Sequence, residues 1–185
     1  VGGGGVVISS ETGEEGTWTR LDNLPLNQLM AVAYSMPGEA HSQTGYFMAL
    51  SNNGQANALI YASDPAGTWQ QGTIASGSLT GYWRGIAVGR YANNDYLVAL
   101  STTHVAMGGN HVQPNPASLE FAYELAEKNQ WHSICYGDGY WVIVGRSNTN
   151  RIGYATDPGG TWTFVAPPQS DVQWNDIAYG NGRFV

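Results

Sequence analysis

The chain repeats itself, and the repeat carries its own punctuation. Ile152-Gly153-Tyr154-Ala155-Thr156-Asp157-Pro158-Gly159-Gly160-Thr161-Trp162 recurs as Leu59-Ile60-Tyr61-Ala62-Ser63-Asp64-Pro65-Ala66-Gly67-Thr68-Trp69, with Tyr and Trp eight positions apart in both. A looser copy runs from Val7-Ile8-Ser9-Ser10-Glu11 to Gly16-Thr17-Trp18, with two extra residues in its turn and Glu11 where the Asp would stand. A chain of this periodicity builds stacked or radial units, so its architecture is settled before any local motif is given a role.

A second element precedes each unit: Trp174-Asn175-Asp176-Ile177-Ala178-Tyr179, Trp131-His132-Ser133-Ile134-Cys135-Tyr136, Trp83-Arg84-Gly85-Ile86-Ala87-Val88 and the more diverged Leu29-Met30-Ala31-Val32-Ala33-Tyr34. Where Asn181-Gly182 or Asp138-Gly139 follows and leads into another apolar run, the pattern is a hairpin with positive-φ residues in its turn. Hairpin and downstream unit together give four strands, best seen at Trp131 to Gly137, Tyr140 to Arg146, Arg151 to Asp157 and Thr161 to Val165. That is one blade of an all-β propeller.

The anchors Tyr34, Val88, Tyr136 and Tyr179 lie 54, 48 and 43 residues apart, and 40 residues lead from Tyr179 around the ends to Tyr34. These intervals suit four-stranded blades. The expectation is a single domain over 1–185 with about four blades, the last completed by both termini. A fragment of a larger propeller is the other reading.

One repeat is irregular. Ser101 to Ser118 reads as a long loop, and Tyr123, eight residues before Trp131, then takes the third-strand position. Trp131 also opens the next blade, so the fourth strand looks missing or merged. Over 118–130 a strand is favoured narrowly over a short helix.

The turns resemble the Asp-box, or bacterial neuraminidase repeat, of sialidase-like propellers, and the hairpins resemble repeats of phage tail and secreted bacterial proteins. The likeness covers nearly the whole chain, although Ser63 and Asp64, like Thr156 and Asp157, are adjacent where the motif has a residue between. It implies structural turns at Asp64, Gly67, Trp69, Asp157, Gly160 and Trp162: the carboxylate accepts backbone N–H groups, Gly permits positive φ, and Trp packs between sheets. Trp18, Trp83, Trp131 and Trp174 also sit at repeat positions and read as core. Cys135 aligns with alanines and reads as a small buried residue.

A sialidase would need an arginine cluster, yet Arg20, Arg84, Arg90, Arg146, Arg151 and Arg183 scatter along the chain. No catalytic residue is assigned, and His104 with His111 makes a weak metal site, so no metal and no cofactor are expected. A net charge of −7 with Lys128 the single lysine disfavours nucleic acid. No apolar run reaches membrane-spanning length. With only 11% charged residues, the surface resembles that of an extracellular or virion protein.

Function is sought at the channel. First strands line it, and four residues before each anchor stand Met30, Arg84, His132 and Asn175, followed by Ala31, Gly85, Ser133 and Asp176. Arg84, His132, Ser133, Asn175 and Asp176 are the expected ligand-binding residues of a channel mouth. The same residues could merely solvate a narrow channel. The function expected is non-catalytic recognition of a glycan or protein partner, in a phage virion, tail or secreted surface protein. A small sialidase-like glycan hydrolase is the alternative, and a homo-oligomer or larger virion assembly is left open.

Overall fold

The computed structural model describes residues 1–22, 24–35, 45–52, 57–74, 82–108, 118–119, 121–169 and 171–185. Three hairpins show why these runs become strands. Asp138 and Gly139 take φ values of 49° and 79°, Asn181 and Gly182 take 49° and 73°, and Ala92 and Asn93 take 47° and 66°. Such left-handed pairs match the twist of the flanking strands.

In chain order, β1 (Val7–Ser9) pairs with β2 (Thr19–Leu21) as a two-stranded sheet. β3 (Leu29–Ser35), β4 (Tyr46–Ser51), β5 (Leu59–Ala62) and β6 (Gln70–Gln71) form the first whole blade, antiparallel throughout. After β7 (Thr73–Ile74), the second blade is built from β8 (Trp83–Tyr91), β9 (Asn94–Ser101), β10 (His104–Gly108) and β12 (Phe121–Glu124), while β11 (Ser118–Leu119) runs parallel to β7. β13 (Trp131–Gly137), β14 (Tyr140–Gly145), β15 (Ile152–Ala155) and β16 (Thr163–Val165) form the third blade, and β17 (Tyr179–Gly180) with β18 (Arg183–Phe184) ends the chain as a hairpin. The fold is an all-β propeller arrangement of four-stranded sheets.

The second blade departs from expectation. Its third strand is β10, inside the stretch read as loop, and Tyr123 belongs to the fourth strand, so no strand is missing. Ser101 Oγ causes the early turn by accepting from Thr103 N at 3.2 Å and His104 N at 2.8 Å, which reverses the chain within three residues. Over 121–124 the strand reading holds.

The fourth blade also differs. β17–β18 and β1–β2 are separate two-stranded sheets, and no strand pairing joins them among the described residues. β17 packs against β13 at one end of the array, whereas β1 contributes Val7 to a core with Leu26, Leu29, Ala49, Ile60 and Trp69 at the other. The termini therefore supply two half-blades on opposite faces rather than one completed blade.

Cores lie between blades. Met48, Leu50 and Leu59 of the first blade meet Trp83, Ile86, Leu97 and Ala99 of the second. Val98, Leu100, Val105 and Met107 meet Trp131, Trp141 and Ile143 of the third. Alternation along each strand thus feeds two interfaces, and both faces of a middle blade are apolar. Trp69, Trp83 and Trp131 are core residues as expected, and Trp162 is half-buried against the second interface. Trp18 is not: it is 53% exposed, because the half-blade carrying it has a neighbour only on its opposite face.

Candidate functional site at the channel mouth

The expected turns form, with one change of mechanism. Asp64 Oδ1 accepts from Ala66 N and Asp157 Oδ1 from Gly159 N, each at 2.9 Å. Trp69 Nε1 donates to the Pro65 carbonyl at 3.1 Å and Trp162 Nε1 to that of Pro158 at 3.2 Å. Gly67 and Gly160 do not adopt positive φ. Crowding rather than φ favours glycine there, since a Cβ on Gly160 would lie 3.1 Å from Asp157 Cβ and one on Gly67 3.3 Å from Asp64 Cβ, closer than ordinary van der Waals contact. In the third copy Ser10 rather than Glu11 takes the aspartate's part, its Oγ accepting from Gly13 N at 2.8 Å.

These turns follow third strands. The first strands begin at the opposite face, and their first pairs are irregular in the same way. Register shifts between Leu29 and Ala31, between Trp83 and Gly85, and between Trp131 and Ser133. The residues left unpaired are Met30, Arg84 and His132. A bulge turns a side chain away from the sheet normal and steepens the local twist, and here it does so at one height in three successive blades. Asn175 stands at the equivalent position before β17.

All four border one cavity of about 420 Å³, together with Ala31, Gly85, Ser133 and Asp176 behind them. The five residues singled out from sequence are therefore brought together. Their bonding knits the third blade to the incoming hairpin: His132 Nδ1 lies 2.8 Å from the Asn175 carbonyl, Ser133 Oγ donates to Asp176 Oδ1 at 2.5 Å, and Arg146 Nε donates to Asn175 Oδ1 at 2.7 Å.

Arg84 is differently placed. Its Nε is buried without a hydrogen-bond partner among the described residues, and its guanidinium carbon lies 5.9 Å from the centre of the Tyr82 ring. Trp174 Nε1 is likewise buried and unpaired. Burial holds His132 below its ordinary range, reinforced by Arg146 and Arg84 and opposed by the Asn175 carbonyl and Asp176. The imidazole is thus kept neutral. Burial also pushes the Cys135 thiol up to about 11, with Asp176 adding to it, so this half-buried cysteine is a poor nucleophile.

Two features of the site escape sequence reasoning. The arginines expected to scatter do so only in part, because Arg146 reaches Asn175 from the end of β14 and joins Arg84 near the mouth. The loop Ser147 to Asn150, polar throughout, directs many of its hydrogen bonds inward. Buried Asn129 accepts from Ser147 N at 2.8 Å and donates to the Asn150 carbonyl at 2.7 Å, and Asn150 Nδ2 donates to Glu127 Oε1 at 2.7 Å. Of the two loop histidines, His104 bonds through Nδ1 to Thr103 Oγ1 at 2.8 Å, and His111 lies outside the described residues.

No family model and no curated protein matches the chain. Among solved structures it is similar to YCF48 from Cyanidioschyzon merolae, with 13% identity and a TM-score of 0.53 over 88% of this chain and 48% of that one. A second similar structure, YCF48 bound to D1 peptide, is 14% identical with a TM-score of 0.49 over 89% of this chain and 48% of that one. The chain spans about half the length of the structures it matches. Likeness at this level of identity concerns the fold alone, and with the sheet topology it makes this chain a β-propeller repeat array.

Proposed function

We propose that the chain is a non-catalytic recognition propeller that holds a segment of a protein partner at the channel mouth. The observation that carries this reading is the recurrence of one β-bulge in three blades, which turns Met30, Arg84 and His132 into a shared cavity. A bulge sacrifices a ladder position, and bulges concentrate where a side chain must be re-aimed. In a chain of net charge −7 this cavity is an exception. Arg84 borders it, Arg146 reaches its rim, and Asp176, the one carboxylate lining it among the described residues, already accepts from Ser133. The unused Arg84 Nε–H calls for an acceptor, which a peptide carboxylate or backbone carbonyl supplies.

The recognition of a glycan at the same cavity is the competing reading, supported by the exposed ring of Tyr82 beside Arg84. The sparsely charged surface supports placing the protein outside the cell or on a virion, as a secreted or phage tail component.

Peptide libraries with free carboxyl termini, run beside glycan arrays, test the proposal. Peptide binding should weaken about tenfold or more in Arg84→Ala, the loss expected when a charge-assisted hydrogen bond of roughly 1.5–3 kcal/mol is removed. Melting temperature should stay close to that of the parent, since rim residues contribute little to a core. Glycan binding without peptide binding would replace the partner class. Reducing-sugar release abolished by Asp176→Asn would replace recognition with hydrolysis.

A further inference from the structure

The side chains at the channel mouth differ in what they have left to offer. Asp176 Oδ1 accepts from both Ser133 Oγ and Ile177 N, and Asn175 Oδ1 accepts from Arg146 Nε, so these oxygens are engaged within the protein. His132 is engaged on one edge only. Its Nδ1 lies 2.8 Å from the Asn175 carbonyl, an oxygen that can only accept, so Nδ1 carries the proton and donates. With burial and the neighbouring arginines keeping the ring neutral, Nε2 is left with a lone pair and no hydrogen-bond partner among the described residues. A neutral histidine held in this tautomer offers the cavity an acceptor.

Arg84 is the opposite case. A guanidinium holds donors and no acceptor, and its Nε is unpaired. The two residues are neighbours across the seam between the second and third blades, standing at the same bulge of successive first strands. Behind them the strands nearly touch: a Cβ on Gly85 would lie 3.2 Å from Ile134 N and 3.4 Å from Ser133 Cα. Both side chains line the cavity of about 420 Å³. Because β8 also packs against β3, and β13 against β17, the pair sits between blades that are flanked on both sides. A donor and an acceptor thus stand side by side on one wall. A carboxylate matches the arginine alone, since both its oxygens would meet the Nε2 lone pair as acceptors. A trans peptide group points its N–H and C=O in opposite directions. A primary carboxamide carries an acceptor and a donor on one edge.

We propose that the channel mouth reads a primary carboxamide, its oxygen accepting from the Arg84 guanidinium and its N–H donating to His132 Nε2. The inference rests on the recognition reading above and names its ligand chemistry: the side chain of Asn or Gln, or an amidated chain end, within a peptide. Acid reverses the pattern. Once Nε2 takes up a proton the ring becomes a second donor. Of the charged groups facing it, Arg84 on β8 and Arg146 at the end of β14 then share its sign, and Asp176 before β17 opposes it. The wall offers donors only and suits a carboxylate.

Libraries of peptides with acetyl and methylamide ends, random except for Gln or Glu at the centre, separate the two groups. A third arm carries a primary amide at its chain end and neither residue. At about pH 7 the Gln arm or the amide-ended arm should bind about tenfold or more tightly than the Glu arm, since a site built to bond a hydrogen rejects the analogue that lacks it. Which of the two binds locates the carboxamide. The preference should shrink as pH falls to about 5, where Glu remains largely ionised, and His132→Ala should abolish both the preference and its pH dependence. Arg84→Ala, in contrast, should weaken all arms together. A Glu arm that binds better at about pH 7, or a preference indifferent to pH or to His132→Ala, overturns the carboxamide and leaves recognition at the mouth standing. No binding by any arm, or binding unchanged in Arg84→Ala, overturns both.

Discussion

Ser133 Oγ donates to Asp176 Oδ1 at 2.5 Å, a bond between residues 43 apart in sequence that fastens the approach to β17 onto β13. The same carboxylate oxygen accepts from Ile177 N at 3.0 Å, so one side chain sets both the seam between blades and the local turn.

Breaking that bond should be non-additive. Ser133→Ala and Asp176→Ala, alone and together, are expected to show a coupling on the order of 1 kcal/mol in urea unfolding. Asp176→Asn, which keeps an acceptor, should retain most of it. Strict additivity would mean that the contact contributes nothing.

Trp131→Ala should be the costliest single change in the second interface. The ring is fully buried, 5.4 Å from Phe164, and its Nε1 donates to the Glu127 carbonyl at 3.0 Å. Truncation should cost roughly 3–5 kcal/mol, whereas Trp131→Phe should cost less. Denaturant midpoints within error of the parent would contradict the packing described.

The Asp turns should tolerate exchange among acceptors. Asp157→Ala leaves Gly159 N without its bond and should lose about 1 kcal/mol, visible as a lowered melting temperature. Because Ser10 performs this task in its own copy, Asp157→Ser should be milder. Equal losses for the two would show that side-chain acceptance is not what closes the turn.

His132 gives the protein a pH dependence of known sign. Burial and two arginines hold its folded pKa below the ordinary 6.5. As pH falls below 6.5, the unfolded chain therefore takes up the proton first, and stability declines until the folded imidazole also titrates. Between about pH 7 and about pH 5 the parent should lose melting temperature more steeply than His132→Gln. Parallel profiles would remove His132 as the cause.

Much of the blade was legible because hairpins advertise themselves. Asp138-Gly139 and Asn181-Gly182 mark turns by chemistry, and the strands of the third blade fall within a residue or two of where the pattern sets them. The second blade was misread for a physical reason. Tyr123 mimics the spacing from Tyr to Trp, whereas the turn before β10 is made by a single serine hydroxyl, a signal no periodicity carries. Ala92-Asn93 was hidden in the same way, since alanine rarely adopts positive φ. The channel residues were found by counting back from the anchors, but the bulge that re-aims them was not, because register is a property of two strands at once. Whether complementary half-blades join is likewise tertiary, set by curvature and not by phase.

The bulges separate two demands that most strand positions must meet together. A residue opposite a partner is constrained by that partner, by the face it occupies and by the layer behind it. Met30, Arg84 and His132 have no cross-strand partner to satisfy, and a thioether, a guanidinium and an imidazole are all accommodated at the register shift. The scaffold thus keeps one freely writable letter per blade at the rim of its channel. A single substitution there changes the lining of the cavity, while the spelling of the blades stays the same.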